Sequence, residues 1–461
     1  MTAHFLPPVA RQARPPVVRH DHPKVSGREL SHIPGKRGLP VLGILPEAVL
    51  DPLAFARRMY DRYGPVHRFY ACGNWNVQLV GPEANEFVLF DQQGNFSAEG
   101  GWRPVFGRHF DGGLLLRDGA DHQWHRKLIA SAFKQEQLKA YAALFARNAA
   151  EIARKESGRT FDTYELAQRF AFANGFSAFL GRDPAKATRK DLLSFRHLMK
   201  SASAVITTPL PGSAEGRAAA ASRHVARLAR SLREEPIAPE RADLFATLQR
   251  LRTTELLEDD EVLAHFKFIV AASFDTLSSG IVAVLYHLAA NPEWQTRLRD
   301  EISLAVPQSN TCSAEALNGC EQLGWAIKEA LRLNSGAPVL WRRAIKDYTF
   351  AGHHFPRGTI TGVNPMLTHL LPSIWHEPST FDPARFRPEE ERLRPRGSFI
   401  PFGAGVHGCL GARYAYMQLR SMLAALLAKH ELALVSPRPV RWHHWPNCQP
   451  RGKLLLELRR L

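Results

Sequence analysis

SFIPFGAGVHGCLGARYAYMQLR, residues Ser398 to Arg420, holds two overlapping patterns that point to different folds. Gly403-Ala-Gly405-Val-His-Gly408 matches G-x-G-x-x-G, the turn with which dinucleotide-binding folds set a pyrophosphate on a helix amino terminus. That turn follows an apolar parallel strand, yet Pro401 stands two residues before the first glycine, where it removes a ladder hydrogen bond. Only 53 residues follow Gly408, too few for the alternating strands and helices of a doubly wound sheet. A dinucleotide-binding protein is therefore a distant alternative. The second pattern is Phe402-x-x-Gly405-x-x-x-Cys409-x-Gly411, with the basic His407 two residues before the cysteine. A cysteine at a helix start lies at the positive end of the helix dipole and near loop N–H donors, and both favour the thiolate over the thiol. The bland reading of a lone cysteine is an inert buried thiol; ten patterned positions around Cys409 argue against it.

The rest of the composition narrows the class. The chain has 461 residues, 45% hydrophobic and 10% aromatic, with 60 Lys+Arg against 44 Asp+Glu and a formal charge of +16. This is a globular composition with ample material for a core, and it excludes disordered, collagen-like and low-complexity classes. The positive surplus suits an acidic partner. Nucleic acid is one such partner, but no helix-turn-helix signature and no Lys/Arg interleaved with exposed aromatics supports it. The five cysteines, Cys72, Cys312, Cys320, Cys409 and Cys448, are too sparse for a disulfide framework and show no C-x-x-C spacing. His353-His354 and His443-His444 are not at zinc-like offsets from them.

Residues 1–35 read as a Pro/Arg-rich, disordered tail without the apolar core of a signal peptide. Residues 36–461 read as one domain, since no linker, repeat or charge block divides them. Helical periodicity dominates the middle, at Arg126 to Ala150, Arg217 to Glu234, Asp259 to Ala290 and Trp325 to Leu333. Short strands are expected at Val66 to Tyr70, Val77 to Val80, Tyr348 to Phe350 and Thr359 to Val363. Phe266 to Ala290 is apolar and about as long as a bilayer span, but Lys267, Asp275 and the hydroxyls around it would be costly in lipid. A buried core helix, no membrane span and a cytoplasmic protein are expected.

The cysteine pattern resembles the haem-binding loop of the cytochrome P-450 family, and further motifs in the family's order accompany it. Glu329-Ala-Leu-Arg332 resembles the E-x-x-R helix, whose i, i+3 pair projects toward a third group; that group would be Arg385 in Phe381-Asp-Pro-Ala-Arg385-Phe386. Alone, such a pair would be a surface contact worth under about 1 kcal/mol. His122 and Arg126, at i and i+4, are similar to the H-x-x-x-R pair that holds haem propionates. Arg342, five residues before Asp347, matches the family's propionate-binding arginine, with Arg343 as a competitor. Ala272-Ser273-Phe274-Asp275-Thr276 resembles [A/G]-G-x-[D/E]-T, an acid and an alcohol over the distal haem face, with Ser273 in the usual glycine position.

The resemblance implies a mainly α, triangular single domain with small peripheral β-sheets, binding haem b. Cys409 would be the axial iron ligand and metal site. His122, Arg126, Arg342 and His407 would hold the propionates, with Phe402, Gly405 and Gly411 shaping the loop. Gly405 would let the backbone pass close under the macrocycle, and Gly411 would allow close helix packing. Asp275 and Thr276 would be the catalytic proton-handling pair, and Glu329, Arg332 and Arg385 a structural triad. The activity implied is monooxygenation of an apolar small molecule, lined by Phe96 to Leu116 and Val339 to Trp341, with O2 and electrons from a separate ferredoxin. A peroxide-using enzyme of the same fold is the alternative; such members typically lack the acid–alcohol pair.

The charge is uneven. Residues 1–40 carry a net of +5 and residues 385–461 a net of +9. The second group surrounds Cys409 in sequence and suits an acidic ferredoxin steered by charge.

Overall fold

A computed structural model describes residues 13–200, 208–238, 241–305, 313–436 and 440–461. Cys312 lies outside the described residues, as do 1–12 of the expected tail. The centre of the molecule is the Asp259–Ala290 helix, with the bounds its periodicity implies. Its start is set by a reciprocal capping box between Glu258 and Glu261 and by three acidic residues in the first turn, which face the positive dipole end. Phe266, Val270, Phe274, Ile281, Leu285 and Leu288 are buried around its circumference, as expected of a helix that other helices surround. Among the described residues it alone is long and apolar enough to cross a membrane, and 78% of its most apolar stretch is buried inside the protein.

Helices Thr163–Leu180, Arg189–Lys200, Ala214–Arg233, Glu321–Leu333 and Ala412–Leu427 pack around this axis or on its neighbours. The expected Arg126 to Ala150 helix is two helices. Gly119–Ile129 ends in a 3-10 turn at Ala130–Phe133, Lys134 is extended, and Gln135–Glu156 begins anew. Ser131 bonds back to the Leu128 carbonyl at 2.8 Å, the local competition with the helix ladder that serine brings.

A second, smaller core lies under a six-stranded sheet ordered Gly35–Lys36, Val66–Ala71, Asn74–Leu79, Ile360–Val363, Leu340–Ala344, Phe96–Ser97. Residues from 13 onward, read above as free tail, lie against this body. Val25, Leu30 and Ile33 are buried in the second core, and Gly35–Lys36 pairs parallel with Arg68 and Phe69. Arg14 reaches Glu261 at 2.5 Å, and Arg343 donates to the carbonyls of His22 and Pro23, each at 3.2 Å. The Pro/Arg-rich composition conceals three well-spaced apolar anchors. Helices thus form one body and the sheet another, and Phe96–Ser97 leads from the sheet into the Ala98–Phe110 helix over the site.

Candidate functional site

Cys409 stands three residues before the first residue of the Ala412–Leu427 helix, whose N-cap is Gly411. The loop is fixed from within: Cys409 N–H donates to the Phe402 carbonyl at 2.8 Å, and Gly405–His407 forms a 3-10 turn. The Phe402 ring packs on Tyr416 at 5.2 Å. No strand precedes the turn, which removes the dinucleotide reading.

The two glycines act otherwise than expected. Gly405 has φ +66° and faces outward, where any side chain would run into the Leu89 carbonyl; it is required by its backbone and by the neighbouring Pro82–Phe90 helix. A Cβ on Gly411 would meet only the Cys409 sulfur, at 3.9 Å, so this glycine keeps room beside Sγ. Cys409 is open to solvent on one side, and protein crowds the others. Desolvation pushes the thiol above its ordinary value, opposed by the Gly411 N–H and by Arg126. The Gly411 N–H and Arg126 are the groups that favour the thiolate here, and a metal cation bound at the sulfur would favour it further.

Four residues named from the sequence converge beside this loop. The rings of His122 and His407 stack with centroids 3.9 Å apart. Arg126 and Arg342 act on both rings: burial first, then these cations, hold His122 down to about 4 and His407 well below the usual value. Arg342 is 5% exposed, and among the described residues its side chain bonds the neighbouring Trp341 carbonyl, at 2.9 Å. Burial lowers its pKa to about 10, with Asp118 and Asp91 favouring the charge from beyond ion-pair distance. Neither arginine has an ion pair among the described residues, and His122 Nδ1 is buried without a partner. A buried cation such as Arg342 is costly without an anion, and a ligand with two carboxylates would satisfy it and the half-buried Arg126.

Alternation along Leu340–Ala344 sends the two arginines to opposite sides of the strand. Arg342 turns inward, whereas Arg343 turns outward to the Gly358 carbonyl and the amino-terminal segment. Trp341 packs edge-on against Phe69 at 6.3 Å, toward the sheet rather than the expected pocket. Asp118, unforeseen in the sequence, ties the site together. It accepts from the N–H groups of Ala98 and Glu99, at 2.8 and 3.3 Å, and lies 3.7 Å from His407 Nε2.

On the core helix, Thr276 is exposed and donates to the Ala272 carbonyl at 2.7 Å. Ser273 bonds similarly to Val270 at 3.0 Å. Asp275 does not lie beside the Thr276 hydroxyl. It is buried on another side of the helix, where Tyr164 and Asn447 bond its two oxygens at 2.9 and 2.6 Å. Burial raises its pKa above the carboxylate norm despite these donors and the charges of Lys200 and Arg196. Successive helix residues are about 100° apart, so Asp275 and Thr276 leave the helix in different directions.

The triad assembles. Arg332 Nε and a terminal nitrogen grip both Glu329 oxygens at 2.7 and 2.8 Å, and its other nitrogen donates to the carbonyls of His369 and Pro378, each at 2.7 Å. Arg385 Nε is 3.4 Å from Glu329. Arg332 and Arg394 each lie over the Trp375 ring, at 5.0 and 4.7 Å. His369 relays this to the loop, because its Nε2 accepts from Ile400 N–H at 3.0 Å. The triad thus holds the segment that presents Cys409.

A free thiol near a helix start, beside the buried Arg342 and the half-buried Arg126 with no ion pair among the described residues, suits a cofactor that takes a thiolate ligand and bears acidic groups. A family model described as Cytochrome P450 matches residues 33–441, and the chain belongs to that family. It is similar to Putative cytochrome P450 136 of Mycobacterium tuberculosis, with 28% identity over 446 residues, 94% of this chain and 89% of that protein. It is also similar to a Sterol 14alpha-demethylase of Mycobacterium bovis, at 25% over 431 residues, 90% and 92% of the two chains. Among solved structures, retinoic acid bound cyanobacterial CYP120A1 has a TM-score of 0.85 at 22% identity, covering 96% of this chain and all of that one. That likeness is one of fold. The protein is a monooxygenase-type oxidoreductase of a family that binds haem b through a cysteine thiolate.

Proposed function

We propose that the protein inserts one atom of O2 into an apolar organic substrate, with electrons from a separate acidic ferredoxin, in the cytoplasm. The observation that carries this reading is the pair Arg342, buried, and Arg126, half-buried, which stand beside Cys409 without an ion pair among the described residues. Cys409 would be the axial ligand, and Arg126, Arg342, His122 and His407 would bind the two propionates through charge-assisted hydrogen bonds. Haem bound there would supply dioxygen activation and transfer of one oxygen atom to an unactivated C–H or C=C bond. Phe402 and Gly411 shape the space around the sulfur, Gly405 locks the loop to its neighbouring helix, and Glu329, Arg332 and Arg385 brace it.

Thr276 donates to Ala272 and keeps lone pairs free to accept from a water in the pocket. Asp275, with its pKa raised by burial, holds a proton at higher pH than a surface carboxyl and suits the donor role. An apolar substrate fits the aromatic row from Trp102 through Phe106 and Phe110 to Phe268, with centroids 5.4, 5.8 and 6.0 Å apart. The sterol and the retinoic acid named for two similar proteins are of that class. The exposed Arg413 and Arg396 beside the cysteine loop supply part of a basic face for the ferredoxin. The four described cysteines are free thiols, which suits a reducing compartment.

The reduced, carbon-monoxide-bound spectrum tests the reading. Wild type is expected to show the red-shifted thiolate band and Cys409→Ala to lack it; a wild type without the band sinks the assignment. Turnover with peroxide but none with O2 and a ferredoxin system favours the peroxide-using alternative. Reduction rates that do not fall with rising ionic strength or in Arg413→Glu remove the basic docking face.

A further inference from the structure

The bond between Asp275 and Asn447 links groups 172 residues apart. Both are almost fully buried, at 4% and 5% exposure. Asn447 lies in a hairpin whose strands are Trp442–His443 and Gln449–Pro450. The next residue is also pinned: Cys448 Sγ accepts from Asn334 Nδ2 at 3.3 Å, and Asn334 Oδ1 meets His287 Nε2 at 2.7 Å. An apolar residue of similar volume would close this hairpin with no buried polar group to satisfy, so the amide calls for a reason.

Its geometry supplies one. Tyr164 holds Oδ1 and Asn447 holds Oδ2. While both bonds stand, the carboxylate cannot turn toward Thr276. Without the Asn447 bond, Oδ2 is released while Tyr164 keeps Oδ1, and the group can pass a proton through water toward the Thr276 hydroxyl. We propose that Asn447 is a positioning residue that holds the Asp275 carboxyl away from Thr276 and so limits proton delivery from it. The proposal rests on the reading of Asp275 as a proton donor.

The groups facing Asp275 are Tyr164 on the Thr163–Leu180 helix, Arg196 and Lys200 on the Arg189–Lys200 helix, and Asn447 on the hairpin. All but Tyr164 and Asn447 act through charge alone, and all four favour the carboxylate. Removing Asn447 therefore shifts Asp275 toward the protonated form and frees it at once.

The test uses the haem-loaded full chain as wild type, Asn447→Leu and Asp275→Asn, with Asn447→Ala as a second variant should leucine disturb the hairpin. The infrared carboxyl band that disappears in Asp275→Asn is expected to persist to higher pH in Asn447→Leu than in wild type. With a plant-type ferredoxin and its reductase as donor and no substrate added, O2 consumption in Asn447→Leu is expected to rise about tenfold, the scale of one charge-assisted hydrogen bond, and to appear as hydrogen peroxide. An unmoved band, or a moved band with wild-type peroxide release, overturns the proposal and leaves the monooxygenase reading standing. If Asp275→Asn consumes O2 as wild type does, the donor role of Asp275 falls and the proposal with it.

Discussion

Two groups of arginines, Arg332 with Arg385 and Arg126 with Arg342, are satisfied to opposite degrees. Around Glu329 and Arg332, both fully buried, the charges meet: the carboxylate takes two nitrogens of Arg332, and the remaining nitrogen finds backbone carbonyls. Around Arg126 and Arg342, no carboxylate comes within ion-pair distance among the described residues, and two neutral imidazoles stack in the gap. The first cluster is complete as protein. The second has no protein anion among the described residues and suits an acidic ligand.

This difference can be broken from either side. Glu329→Ala strands the buried Arg332 guanidinium and should cost about 3–5 kcal/mol, read as a lower denaturant midpoint for both the haem-free and the haem-loaded protein. Next in size is an acid limb set by His122. Its folded pKa is about 4 against an ordinary value near 6.5, so the unfolded chain binds more protons between these values. The stability present above the unfolded value is lost as pH falls through that window. His122→Gln should flatten the limb by on the order of 3 kcal/mol in haem-free protein, read by denaturation at a series of pH values. Arg342→Leu should do the reverse of Glu329→Ala: haem-free protein gains roughly 1–3 kcal/mol because a buried unpaired charge is gone, while haem dissociates faster. A loss of stability equal to that of Glu329→Ala would erase the distinction between the clusters. The smallest effect is expected for Arg385→Lys, about 1 kcal/mol, because its Nε is 3.4 Å from Glu329 and makes no hydrogen bond.

The sequence made legible what is local. The core helix runs over the residues its pattern marks, and the i, i+3 and i, i+4 pairs at Glu329/Arg332 and His122/Arg126 stand in the helices their spacing implies. What stayed hidden depends on distant partners. Asp275 is turned by Tyr164 and Asn447, 111 and 172 residues away, and neither carries a motif. Gly405 owes its place to the Leu89 carbonyl, which no loop pattern reveals. Asp118 had one signal, its position four residues before His122. Arg342 and Arg343 could be separated only once strand alternation had a sheet to refer to.

The amino-terminal strap has a consequence for how the chain folds. Arg343 holds the carbonyl of His22 across 321 residues, and Arg357 holds that of Asp21 across 336. A segment made first thus finds its partners only after most of the chain has emerged, and closing so large a loop is entropically late. The Asp21–Pro23 strap is therefore expected to close late in folding and to detach early in unfolding.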